Sequence, residues 1–381
     1  MNTVKTHTRH LYGKLGAHSQ GQAVERARPR PARAFGIPEL EPLPPRSANH
    51  PMRVTTAHPD AMKHGAMAKA LSEPTAYQPA LVGAAPRTLL RQRVNAILWA
   101  LVAANVVWTV ASTVFHNQIP LPILIPVVVF VPLAFALLHG AMRYGWTGIL
   151  TFLVVSLVVS NVLENLSILT GFPFGHYYYT GQLGPKIFLV PLLIGPAYFG
   201  TGYLAWVLGT VLIGEVRPRG SALTTFGVPL IASFVMVAWD LGTDPSRSTI
   251  GQVWIWQQGG GYFGVPLTNY LGWSFTVYIF FQLFALYLYF RRPKIDVATP
   301  APSRSHFAQA TVMYALIGLG IVLAYVVGSP NTLVTDAAGV VWQSSSIAEG
   351  EATVTVYTIL FATALAAVKL LQRPAAVSRG N

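Results

Sequence analysis

After Arg93 the chain carries eight apolar stretches, at about 94–116, 121–140, 146–170, 187–213, 221–243, 268–290, 307–328 and 352–371. Crossing a hydrocarbon core of roughly 30 Å takes about 20 residues at 1.5 Å per residue, and each stretch is close to that length. Within lipid every backbone N–H and C=O must find its partner inside the segment, so stretches of this kind fold as helices and bury their polar faces against one another. The expected class is all-α: a polytopic membrane helical bundle of about eight transmembrane helices. The second stretch, "IPLPILIPVVVFVPLAF", repeats proline and is the least regular as a straight helix.

Only 10% of the residues are charged, against about a quarter in soluble domains. Cysteine is absent, which excludes disulfides, thiolate metal sites and a cysteine nucleophile. The formal charge of +13 would suggest nucleic acid, but residues 1–93 hold 14 Lys and Arg against 5 Asp and Glu, or +9 of the total. "RARPRPARAFGIPELEPLPPR" cannot bury a core. The expectation is a disordered Pro/Arg-rich tail over 1–90, a transmembrane domain over 91–373 and a short tail over 374–381. With no folded basic module, the tail's expected partner is anionic membrane lipid, not nucleic acid.

Alternate loops differ in charge. One side holds Arg143, Arg217, Arg219, Arg291, Arg292, Lys294, Arg304, Lys369, Arg373 and Arg379; the other holds Lys186 and Arg247. The positive-inside rule makes the first side cytoplasmic and, with it, both termini. Glu164, Asp240 and the long loops 171–186 and 244–267 then share the outer side.

Ser156, Ser160 and Glu164 recur every four residues and fall on one face of the third span, flanked by Asn161 and Asn165. Serines on such a face serve as packing glue between helices. A carboxyl group in a membrane helix is costly and marks a functional candidate. In "FVMVAWDLGTDP", Ser233, Met236 and Asp240 share a face, and Asp244 follows just before Pro245, where it could equally be a turn residue. The outer loops combine dense aromatics with glycine and proline: Phe174, His176, Tyr177, Tyr178 and Tyr179 in one, Trp254, Trp256, Tyr262 and Phe263 in the other. An aromatic belt accounts for scattered rings, but this combination fits ordered loops closing over an apolar pocket.

Asp240 and Asp244 at i, i+4 are similar to the aspartate pairs that hold magnesium-diphosphate in membrane prenyltransferases. Such a site needs a second acid-rich motif, and none is present. No HExxH, GxSxG or glycine-rich nucleotide loop occurs. Neither a metal nor a cofactor is expected.

The segments "ENLSILTGFPFGHYYYTGQLGP", "AWDLGTDP" and "GYFGVPLTNYLGW" together resemble the carotenoid biosynthesis membrane-protein family, which includes the γ-carotene and bisanhydrobacterioruberin hydratases. The resemblance covers about residues 160–290. It implies an integral membrane hydro-lyase that adds water, without a cofactor, to a terminal isoprenoid double bond of a carotenoid or other polyisoprenoid. Such chemistry needs an acid to protonate the alkene, aromatic faces for the tertiary cation and a group to hold water. A carboxyl in an apolar setting is a suitable acid. Glu164, Asp240 and Asp244 are the expected catalytic groups, with Glu164 and Asp240 as donor and base in either order. Asn165, Phe174, His176, Tyr177, Tyr178, Tyr179, Trp239, Trp254, Trp256, Tyr262 and Asn269 are the expected substrate contacts. Two other classes fit the same residues: a prenyltransferase-like enzyme using an isoprenoid diphosphate, and a transporter whose buried acids relay protons. The transporter requires a polar path toward the cytoplasmic side, and the inner halves of the third and fifth spans lack ionisable groups.

Overall fold

The computed structural model describes residues 84–115, 118–119, 121–291 and 302–372. The tails expected at 1–90 and 374–381 lie outside these residues, except that 84–90 are already helical. Among the described residues, seven helices are long and apolar enough to cross a membrane. They are α1 (Ala84–Val114), α2 (Leu121–Thr170), α3 (Ile194–Ile213), α4 (Ala222–Leu241), α5 (Leu267–Phe290), α6 (Arg304–Val327) and α7 (Ser344–Gln372).

The 50 residues of α2 are not one rod. Gly145 sits at φ 72°, ψ 167°, outside the helical region, where a side chain would strain the backbone. A Cβ built on Gly140 would lie 2.3 Å from Ile149 Cδ1. Nine residues along a straight helix would separate the two by about 13 Å. The chain therefore reverses at Gly145 into two arms, 121–144 and 146–170, which correspond to the second and third spans read from the sequence. The prolines of the first arm, Pro126 and Pro132, are accommodated within the helix.

Three spans begin elsewhere than expected: the first, read from 94, is already helical at Ala84, and two later ones differ as well. The stretch from 187 opens as a tight hairpin, β2 (Lys186–Ile187) pairing with β3 (Val190–Pro191), and the helix starts only at Ile194. Phe188 turns this hairpin at φ 54°. At the other end, α7 begins at Ser344, so the polar run "SSSIAEGE" is helical and carries Glu351 into the bundle, where it is 5% exposed.

Short ribbons supplement the helices. β1 (Tyr177–Tyr179) pairs antiparallel with β4 (Trp254–Trp256), aligning Tyr177 with Trp256 and Tyr179 with Trp254. β5 (Leu333–Thr335) and β6 (Val341–Gln343) form a hairpin between α6 and α7. The two aromatic loops thus join through backbone hydrogen bonds over one end of the bundle.

The second arm of α2 shows how the polar stripe is managed. Val154, Val158 and Val162 are each more than half exposed on its outer face, whereas Ser156, Ser160 and Glu164 are at most 3% exposed. Ser156 and Ser160 donate to Leu153 O (2.9 Å) and Leu157 O (3.3 Å) of their own helix. They act as small packing residues, without the cross-helix hydrogen bonds that glue of this kind can supply. Below them, Phe152 packs on Phe199, Phe280, Phe281, Phe284 and Trp206 with ring centroids 4.8–6.4 Å apart.

Candidate functional site

A cavity of about 250 Å³ opens beneath the β1–β4 ribbon, and Glu164, Asp240 and Asp244 all line it. Glu164 reaches it from the last turns of α2. Asp240 lies in the last turn of α4, and Asp244 follows just beyond it, ahead of a wider π-helical turn over Ser246–Ile250. The i, i+4 spacing puts both aspartates on one face, toward the start of α5.

Glu164 is 3% exposed and is held by three tyrosine hydroxyls. Tyr177 and Tyr179 donate to Oε2, the latter at 2.9 Å, and Tyr198 donates to Oε1 at 2.8 Å. Burial holds the Tyr177 and Tyr179 hydroxyls well above the usual tyrosine range, and the charge of Glu164 pushes the same way. Both therefore remain donors. In β1 the side chains alternate, so Tyr177 and Tyr179 face inward while Tyr178 is 47% exposed.

The aspartates are bridged. Asn269 Nδ2 donates to Asp240 Oδ2 at 2.8 Å and to Asp244 Oδ2 at 2.6 Å. Trp254 Nε1 donates to Asp244 Oδ1 at 2.7 Å. Both oxygens of Asp244 and of Glu164 are thus engaged. Asp240 Oδ1 makes no hydrogen bond to any described residue. Asp244 is far from a surface turn residue: it is 1% exposed.

Aromatic rings form one part of the remaining wall, where Phe174, Trp239, Trp254, Trp256 and Trp273 line the cavity and Trp273 stacks on Tyr198 at 4.4 Å, and aliphatic side chains such as Leu124, Val128, Leu183 and Ile194 form another. Gly272 allows the loop to sit down on α5, since a Cβ there would lie 2.7 Å from Pro173 O. Ser167 fixes the same loop, accepting from Phe174 N (3.1 Å) and donating to Gly175 O (2.9 Å).

Of the residues expected to contact substrate, Phe174, Tyr177, Tyr179, Trp239, Trp254, Trp256 and Asn269 line the cavity, and Asn165, His176, Tyr178 and Tyr262 do not. Asn165 instead caps the β2–β3 hairpin, accepting from Leu189 N at 2.9 Å. His176 is exposed and immediately precedes β1. Tyr262 braces the end of α4 by donating to Leu241 O at 3.2 Å. Tyr198, Trp273, Thr243 and Arg247 line the cavity and were not singled out from the sequence. Arg247 lies over the Trp239 ring at 5.3 Å, within electrostatic reach of Glu351, Asp240 and Asp244. No group of three His, Asp or Glu side chains among the described residues is arranged to hold a metal ion.

A second polar cluster occupies the opposite half of the bundle. His139 stacks on His306 at 3.6 Å and pairs with the Tyr203 hydroxyl at 2.6 Å; Arg143 bridges to Glu215 at 2.6 Å. Phe152 contacts Tyr203, and Phe280 contacts both Phe152 and Tyr198.

Fold and cavity together define a polytopic membrane protein with a small, aromatic chamber holding three buried acids at one end. The family described as carotenoid biosynthesis protein matches residues 123–342, more than half of the chain, and the chain belongs to that family. Bisanhydrobacterioruberin hydratase of Haloarcula japonica is 31% identical over 122 residues, 32% of this chain and 39% of that protein. The chain thus matches about two fifths of the length of this curated relative. No solved structure matches it.

Proposed function

We propose that the protein hydrates a terminal isoprenoid double bond of a carotenoid, with Asp240 as the proton donor. The observation that carries this assignment is the unengaged Asp240 Oδ1 at the cavity wall, where every other carboxyl oxygen of the three acids already accepts a hydrogen bond. The Asp240 proton forms a C–H bond with the π pair of the alkene at its less substituted carbon. The neighbouring tertiary carbon becomes cationic and faces the rings of Trp239, Trp254, Trp256 and Trp273, which stabilise it without bonding to it. Water forms the C–O bond at that carbon and releases a proton toward Glu164 through the tyrosine hydroxyls that Glu164 holds. Alkene and water give a tertiary alcohol, and proton exchange returns both carboxyls to their starting forms.

The aromatic chamber, the family and the hydratase named above support this reading. The test is pigment analysis: expressed in a carotenoid-accumulating host, the chain should convert pigment to a product heavier by one water. Pigment unchanged in mass, with the protein present and folded in the membrane, would sink it. Loss of conversion on chelation, with dependence on an isoprenoid diphosphate, would favour prenyl transfer instead.

A further inference from the structure

A second, larger cavity of about 690 Å³ adjoins the acid chamber and shares part of its wall, including Val128, Val129, Trp239, Thr243 and Arg247. We propose that this cavity binds the polyene body of the carotenoid, whose end group passes Trp239 and Arg247 to reach the acids. The inference rests on the reading of the chamber as a site acting on a carotenoid end.

Size makes the first argument. Whole small-molecule ligands occupy pockets of about 300–1,000 Å³. The acid chamber falls short of this range and suits an end group, whereas its neighbour falls within it. Shape makes the second. Met313, Leu316, Ile317, Gly320, Ile321, Ala324, Tyr325 and Gly328 line the larger cavity. Their spacing of three, one, three, one is that of a single helix face. This face runs the cavity along α6 for about 22 Å, at about 1.5 Å per residue from Met313 to Gly328. A trough of this length fits an extended conjugated chain better than a compact ligand. The third argument is the composition of that face: Leu316, Ile317 and Ile321 make its middle aliphatic and Ala324 is small, while Gly320 lets α1 pack closely, since a Cβ there would lie 3.1 Å from Thr109 Cγ2. α1 closes the far side with Trp108, whose indole N–H has no partner among the described residues.

The proposal separates body binding from chemistry, and the test uses that separation. Ala324 and Ala348 line the trough from α6 and α7 and do not line the acid chamber. Ala324→Trp and Ala348→Trp, made separately, fill the trough from two independent elements. The purified full-length protein is titrated with an acyclic carotenoid, and the induced circular dichroism of the polyene band reports binding. Wild type should show an induced signal, and each variant should weaken binding by at least about tenfold. A short isoprenoid hydrocarbon with the same terminal double bond, small enough for the chamber alone, should still be hydrated by both variants. Unchanged carotenoid binding in both variants would overturn the proposal. So would loss of the short substrate together with the long one in protein that elutes and melts as wild type does, or an induced signal abolished by excess phospholipid. Failure of the hydration reading looks different: the carotenoid binds and the variants weaken it, yet neither hydrocarbon gains water.

Discussion

Asn269 donates from one amide nitrogen to Asp240 and Asp244 at once, 2.8 and 2.6 Å away. One residue at the start of α5 thereby bridges an acid in the last turn of α4 and another just beyond that helix. Replacing it by leucine leaves both carboxyls without this donor in a buried setting. Asn269→Leu should cost about 1.5–3 kcal/mol of stability and most of the activity. Melting in detergent and product yield check this; a variant as active as wild type would show that the bridge has no part in the chemistry.

Asp240→Asn should lower turnover by about 10²–10⁴-fold, the range for a positioned general acid, with carotenoid binding retained. Run in heavy water, the wild-type reaction should place one deuterium on the carbon next to the new alcohol carbon. The same label appearing at the wild-type rate in Asp240→Asn would assign the proton to another group.

Tyr177 and Tyr178 are neighbours with opposite surroundings, 3% and 47% exposed. Tyr178→Phe should leave stability within about 0.5 kcal/mol, as surface changes do, and activity intact. Tyr177→Phe, Tyr179→Phe and Tyr198→Phe each remove a donor to Glu164 and should each slow the reaction by about tenfold or more, taking a hydrogen bond to a charged group as about 1.5–3 kcal/mol. Equal rates for Tyr177→Phe and Tyr178→Phe would contradict the inward assignment of β1.

The Tyr177 and Tyr179 hydroxyls are held above the ordinary tyrosine value by burial and by Glu164. As pH rises past about 10, the unfolded chain loses these protons before the folded one does. The folded state then binds more protons than the unfolded state, so stability falls with pH. The melting temperature should hold below about pH 10 and fall above it, less steeply in a Tyr177→Phe, Tyr179→Phe double variant. Identical slopes would mean that these two groups do not set the alkaline limit.

Far from the chamber, Glu215 pairs with the buried Arg143 at 2.6 Å, and the two side chains are 24% and 2% exposed. Glu215→Ala leaves the guanidinium without its acid. The expected cost is about 3 kcal/mol, the low end for a broken buried pair, because Glu215 is partly solvated. Protein that survives should turn over as wild type does, which separates this cluster from the chemistry.

Much of this molecule is legible in its sequence. Span length and apolar run are local properties, so the helices and the arms of α2 follow from them. Four-residue recurrence places Ser156, Ser160 and Glu164 on the buried face. The aromatic loops declare themselves by density. Their closure over the bundle is another matter, because the pairing of Tyr177 with Trp256 joins residues that are distant in sequence. Tyr198 and Trp273 carry no local mark, since a ring in an apolar helix reads the same whether it faces lipid, core or cavity. Glu351 hides in a polar run that gives no sign of being drawn into the bundle. The sequence by itself determined which segments enter the membrane and which of their faces must turn inward, because burial of backbone and charge is decided segment by segment. Only the tertiary structure decided which inward groups meet, because a reversal at Gly145, a ribbon between loops and an amide on α5 are contacts between segments, and no periodicity within one segment encodes them.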